Sequence, residues 1–130
     1  MTKTIVISSI LLLTQAAAAL PIEAFSPDKF QQAVQKKESF VVGIHAPWCG
    51  SCRIQKPNLE RVVNEEPLEK VRAFMADFES SAAFRSGLEK PVRSPSTILV
   101  YKDGQEVGRI QGETNKEKIR SQITNLLQTK

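Results

Sequence analysis

The stretch HAPWCGSCRIQKP, residues 45–57, holds both cysteines of the 130-residue chain, Cys49 and Cys52, with Trp48 just before them. Such a pair can staple a fold, hold a metal or react. As a staple it does little, because a Cys49–Cys52 bond closes a very short loop and the entropic gain from a disulfide grows with loop length. As a zinc site it is incomplete. Structural zinc takes four ligands, and the chain has no second cysteine pair and a single histidine, His45. Redox chemistry remains, provided the local fold suits it.

The flanks of the stretch define that local fold. Upstream, SFVVGIHA is apolar and rich in β-branched residues, and predicts a buried strand from Phe40 to about His45. Downstream, Ile54, Leu59, Val62 and Val63 give an approximate apolar face for a helix to about Asn64, with Pro57 inside it and a kink expected there. The cysteines therefore fall where a strand passes into a helix.

Working outward, FSPDKFQQAVQKKE predicts a helix with Ser26 as N-cap, Pro27 at the first helical position and Asp28 at its positive end. KVRAFMADF predicts a second strand, about Val71 to Phe78, and a short helix follows from Ser81 to about Ser86, ended by Gly87. TILVYKDGQEVGRIQG predicts a hairpin of Thr97–Tyr101 and Glu106–Ile110 about a turn at Asp103-Gly104. The last segment predicts an amphipathic helix opened by a Thr114/Glu117 capping box, with Ile119, Ile123, Leu126 and Leu127 in one stripe. The order implies an α/β fold, a central mixed sheet with a parallel pair and an antiparallel edge, flanked by helices on both faces.

The first 20 residues, MTKTIVISSILLLTQAAAAL, have the layout of a secretory signal peptide: Lys3, an uncharged apolar run, then small residues ending in an Ala-x-Ala site at Ala17–Ala19. The expectation is a signal peptide over 1–19 and one domain over 20–130, in a periplasmic or secreted protein. Cleavage after Ala24, or retention as an anchor, are the alternatives. Without Lys3 the chain keeps 17 of its 18 basic residues against 14 acidic ones, interspersed, and no nucleic-acid partner is expected. Apolar content of 41% suits a packed single domain of about 110 residues.

APWCGSCRIQKP resembles the active-site stretch of the thioredoxin family, with tryptophan before Cys-Gly-x-Cys and a proline five residues after the second cysteine. LVYKDGQEVGRIQG is also similar to the family pattern, including Gly112 before the last helix. The resemblance covers about Phe30 to Leu127. It implies a thioredoxin-like fold and a thiol–disulfide oxidoreductase with Cys49 and Cys52 as catalytic residues and no bound cofactor. Cys49 at a helix N-terminus is placed to carry a lowered pKa, and Cys52, one turn on, to resolve a mixed disulfide. Trp48 supplies a rim beside the reactive sulfur, and Gly50 lets a partner backbone approach. Arg53 places a positive charge nearby or is simply solvated. The implied partners, for a monomer, are disulfide-containing substrate proteins and a regenerating redox partner, which family analogy places at a membrane. A thioredoxin-fold binding or scaffold domain with little turnover is the alternative.

Two departures from the family stand out. Where thioredoxins usually carry a buried acid, six residues before the first cysteine, this chain has Gly43; His45, on the same strand face, is a candidate substitute. The family also places a cis-proline before the strand facing the active site. Counting back from Gly104 puts Ser96 there, and a one-residue insertion would restore Pro95. In either register Ser94, Pro95, Ser96 and Thr97 are expected to line the substrate groove.

Overall fold

The computed structural model describes residues 22–129, so the expected signal peptide lies outside the described residues. The elements run β1 (Glu23–Ala24), α1 (Pro27–Gln35), β2 (Phe40–His45), α2 (Gly50–Val62), β3 (Arg72–Asp77), α3 (Ala82–Gly87), β4 (Thr97–Lys102), β5 (Gln105–Gln111) and α4 (Lys116–Gln128). They build one five-stranded sheet in the order β1-β3-β2-β4-β5. β2 is its centre, parallel to β3 and antiparallel to β4, and β1 and β5 close the two edges. The sheet is mixed, as expected. The two-residue β1 was not anticipated, because no periodicity can be read from a pair of residues; it is held by parallel pairing of Glu23 and Ala24 with Phe74 and Met75.

Each face of the sheet has its own core. On one, Leu59 and Val62 of α2 and Ile119 and Ile123 of α4 meet Val41, Ile98, Val100 and Ile110. On the other, Phe30 and Ala33 of α1 pack on Phe40, Val42, Phe74 and Leu99, and the Phe40 and Tyr101 rings stack at 4.6 Å between centroids. β2 is buried on both faces from Phe40 to Ile44, which is why it reads as a continuous apolar run rather than an alternating one.

The starts of α1 and α4 follow side-chain capping. Ser26 Oγ accepts from the Lys29 amide at 3.2 Å, with Pro27 and Asp28 in the first turn of α1. α4 corrects the sequence reading, because its cap is Asn115, whose Oδ1 accepts from the Lys118 amide at 3.0 Å. Thr114 is instead engaged by Asn58, which donates to its carbonyl at 2.8 Å, and Glu117 is turned to Arg120. The hairpin turn Asp103-Gly104 has positive φ at both residues, 53° and 78°. At Gly104 a Cβ would lie 2.5 Å from the Val34 carbonyl oxygen, so glycine is required on two counts.

α2 runs unbroken through Pro57, with Cys52, Gln55, Leu59 and Val62 as its buried residues. Here the apolar-face reading is corrected, since Ile54 is 55% exposed. Leu59 fixes the inward direction, and the residue one turn before it on that face is Gln55, not Ile54.

Candidate active site

β2 ends at His45, the chain turns through Ala46, Pro47 and Trp48, and α2 starts at Gly50 with Cys49 as its N-cap. The Cys49 amide donates to Ala46 O at 3.1 Å, closing the turn. Cys49 Sγ faces the free amides of the first helical turn and accepts from Cys52 N at 3.3 Å; Ser51 Oγ lies 3.4 Å away. Burial by itself pushes this thiol up. Hydrogen bonds from the Cys52 thiol, the Ser51 hydroxyl and the two backbone amides outweigh it, and the pKa falls below the ordinary thiol value.

Cys52 sits one turn deeper, 1% exposed, with its Sγ 4.0 Å from Ile44 O. Its pKa is raised, first by burial, then by its hydrogen bond to Cys49 and by that sulfur's charge. Both thiols are free. The two sulfurs therefore differ in access and acidity: one is partly open and acidic, the other enclosed and protonated.

Antiparallel pairing brings a second loop to this end of the sheet. Thr97 opens β4 opposite Ile44, so residues 94–96 stand beside the cysteine turn. Ser94 is exposed, Pro95 half-buried and Ser96 buried. Glu66-Pro67 is the cis peptide among the described residues, so Ser94-Pro95 is trans, and Ser96 takes the place directly before β4 with φ at 61°. The ungapped register is thus the one observed. Ser96 N donates to Ile44 O at 2.9 Å, the same oxygen that Cys52 Sγ faces. Ser96 O accepts from Gly112 N at 2.8 Å and from Gln55 Nε2 at 3.0 Å.

Gln55 was missed at the sequence level. It is 3% exposed and also donates to Glu113 O at 3.0 Å, so it ties α2 to both loops behind the cysteines. The available signal was spacing, three residues after Cys52 and four before Leu59, on the face that must be buried.

Trp48 is 61% exposed, its ring edge-on to Phe78 and its Nε1 donating to Glu79 at 3.0 Å. Gly50 is exposed, and a Cβ there would meet nothing within 4 Å. Arg53 folds back to donate to Pro47 O at 3.3 and 3.2 Å, bracing the turn. His45 lies opposite Asp77 in the β2–β3 register, and its buried Nδ1 has no hydrogen-bond partner among the described residues. At Gly43, the position of the family's acid, a Cβ would come within 2.9 Å of Met75 Cε and 3.0 Å of Leu59 Cδ2. That space is filled by apolar side chains.

The thioredoxin family model matches residues 21–125. Thioredoxin from Alicyclobacillus acidocaldarius subsp. acidocaldarius is 30% identical over 99 residues, which cover 76% of this chain and 91% of the relative. The mitochondrial thioredoxin of Bos taurus is 30% identical over 101 residues, 78% of this chain and 59% of that longer protein. Among solved structures, Trxlp from Edwardsiella tarda EIB202 superposes with a TM-score of 0.72 at 27% identity, over 78% of this chain and 97% of the other. With its sheet order, its cysteine pair at a helix start and these matches, the chain belongs to the thioredoxin family of thiol–disulfide oxidoreductases.

Proposed function

We propose that the protein exchanges disulfides with protein substrates through the Cys49-Gly50-Ser51-Cys52 pair, with Cys49 as nucleophile. The observation that carries this reading is the contrast between the two sulfurs, Cys49 accepting hydrogen bonds at a helix N-terminus and Cys52 buried and held protonated. The Cys49 thiolate attacks one sulfur of a substrate disulfide; the Cys49–substrate bond forms, the substrate S–S bond breaks, and the departing sulfur leaves as a thiolate. Cys52 then gives up its proton and attacks Cys49 Sγ. The Cys49–Cys52 disulfide forms, the second substrate sulfur leaves as a thiol, and two electrons have passed to the substrate. In reverse, the same steps oxidise a dithiol. A partner dithiol or disulfide restores the starting state, and a membrane-bound one suits an exported chain.

Trp48 and Ile54 are the exposed large apolar side chains among the described residues, and they flank the cysteines. With open Gly50 and the Ser94-Pro95 segment they form a surface suited to an extended, partly apolar peptide. Export and cleavage after Ala19 complete the reading. Pairing of Ala24 with Met75 favours that site over cleavage after Ala24, which would remove β1.

Insulin reduction driven by dithiothreitol tests the activity. Wild-type protein accelerates it and Cys49→Ser abolishes the acceleration, whereas Cys52→Ser traps a mixed disulfide at Cys49. Trapping at Cys52 in Cys49→Ser with equal efficiency refutes the assignment. The mass of the mature chain from fractionated cells tests export and cleavage.

A further inference from the structure

Ser96 carries a feature that the disulfide exchange described above does not use. Its hydroxyl is buried and has no hydrogen-bond partner among the described residues. Its backbone is in the left-handed region, φ 61°, where glycine would sit without strain and a side chain does not. Three hydrogen bonds hold it there: its amide to Ile44 O, and its carbonyl from Gln55 Nε2 and Gly112 N. A strained, over-determined residue with an unsatisfied buried hydroxyl, beside a reactive sulfur, calls for a state in which the hydroxyl is satisfied.

That state follows from the neighbouring atoms. The Ile44 carbonyl oxygen takes the Ser96 amide at 2.9 Å and faces Cys52 Sγ at 4.0 Å, so Ser96 and the Cys52 sulfur converge on one atom. A protonated thiol is a weak acceptor, and a thiolate is a strong one. The acid that thioredoxins usually place near this sulfur is absent, and its space is taken by Met75 and Leu59.

We propose that the Ser96 hydroxyl, locked in place by Gln55, donates the hydrogen bond that stabilises Cys52 as a thiolate while it resolves the mixed disulfide. The bond is far stronger when Cys52 is charged, so it favours the attacking state over the resting thiol. Ser96 keeps its proton throughout. The Cys52 proton leaves to the departing substrate sulfur or to solvent, the Cys52–Cys49 bond forms and the Cys49–substrate bond breaks. The influence of Ser96 on the Cys52 thiol is already downward in the dithiol, although burial and Cys49 keep the net direction upward. Cys49 is the titratable group acting on Cys52; His45 and Asp77 lie at the adjoining ends of β2 and β3. Gln55 is a positioning residue, acting through Ser96.

The proposal rests on Cys49 attacking and Cys52 resolving, and the test separates the two. Reduced protein is mixed with dithiobis(nitrobenzoate) in a stopped-flow instrument. One coloured thiolate is released when Cys49 attacks and a second when Cys52 resolves. In Ser96→Ala and in Ser96→Gly, the second release should slow about tenfold relative to the first, and its pH profile should move up by about one pH unit, the size of a hydrogen bond to a charged sulfur. Ser96→Gly relieves the backbone strain and guards against a folding artefact. If Ser96→Gly resolves at the wild-type rate, or if either variant slows without a change of pH profile, the hydroxyl has no such role. If wild-type protein gives no second release, the Cys49–Cys52 reading itself fails, and this proposal with it.

Discussion

Gly43 and Met75 should be energetically coupled, and the coupling can be sized from the packing. The two residues pair across β2 and β3, and a Cβ on residue 43 would lie 2.9 Å from Met75 Cε, 3.1 Å from Met75 Sδ and 3.0 Å from Leu59 Cδ2. Gly43→Ala therefore crowds a tight site, but Met75 Cε is the end of a flexible side chain and can give way, so the loss should be at the low end for overpacking, about 1 kcal/mol, before a small gain from removing a strand glycine. Met75→Ala empties the same space and should cost about 2 kcal/mol, at the low end for a core methionine because Met75 is only half-buried. In the double variant the new methyl group enters the vacated volume. Its loss should fall short of the sum of the single losses by about 1 kcal/mol or more. Urea unfolding of the four reduced proteins gives the cycle directly. Additivity within about 0.5 kcal/mol would show that the two side chains do not compete, and the packing argument for glycine would be wrong. The same reasoning bears on catalysis. Gly43→Asp alone should lose several kcal/mol, because it adds a buried carboxylate to the steric clash. Paired with Met75→Ala it should recover part of that stability, and only then can an acid at this position assist Cys52.

Three further outcomes follow from the geometry. Because the folded pKa of Cys49 is lowered, its contribution to the stability of the reduced protein is present above the unfolded thiol value of about 8.5 and is lost as pH falls through the folded value. The stability difference between wild type and Cys49→Ser should therefore grow as pH rises towards about 8.5 in reduced urea titrations, and a flat difference refutes the lowered pKa. Trp48→Ala removes an exposed ring and its bond to Glu79, so insulin reduction should fall several-fold while the first release from dithiobis(nitrobenzoate) changes far less; equal losses would argue against a docking role. Asn115→Ala should destabilise by about 1 kcal/mol and Thr114→Val by less, the reverse of what a Thr114 cap would give.

Most of the fold was legible where chemistry is local. Ser26-Pro27-Asp28 announces α1, the β-branched run announces β2, and Asp103-Gly104 announces the hairpin turn. Legibility failed where two local solutions compete or where tertiary contacts choose. Thr114 and Asn115 are both good caps, and Asn58, from another helix, claims the Thr114 carbonyl and leaves Asn115 to the α4 amides. Ile54 looked like core and Gln55 was passed over, but the sheet selects the helix face through Cys52 and Leu59, and a glutamine is acceptable there because two loop carbonyls await its amide. The cysteine pair itself needed only spacing and flanks. The absence of an acid at Gly43 was visible in the sequence, whereas its occupation by Met75 requires the β2–β3 register.

The capping of α2 by a sulfur has a consequence in the time domain. In the dithiol the Cys52 amide is held by Cys49 Sγ at 3.3 Å, and a thiolate there is an anionic cap on the helix. In the disulfide that sulfur is neutral and already bonded to the side chain of the residue whose amide it served. The first turn of α2 then keeps its place by a covalent tether rather than by an acceptor. Hydrogen exchange at the Cys52 amide should be faster in the oxidised protein, while amides in the centre of β2, buried on both sides in either state, should keep their protection. One helix end thus records the redox state of the molecule as the lifetime of a single proton.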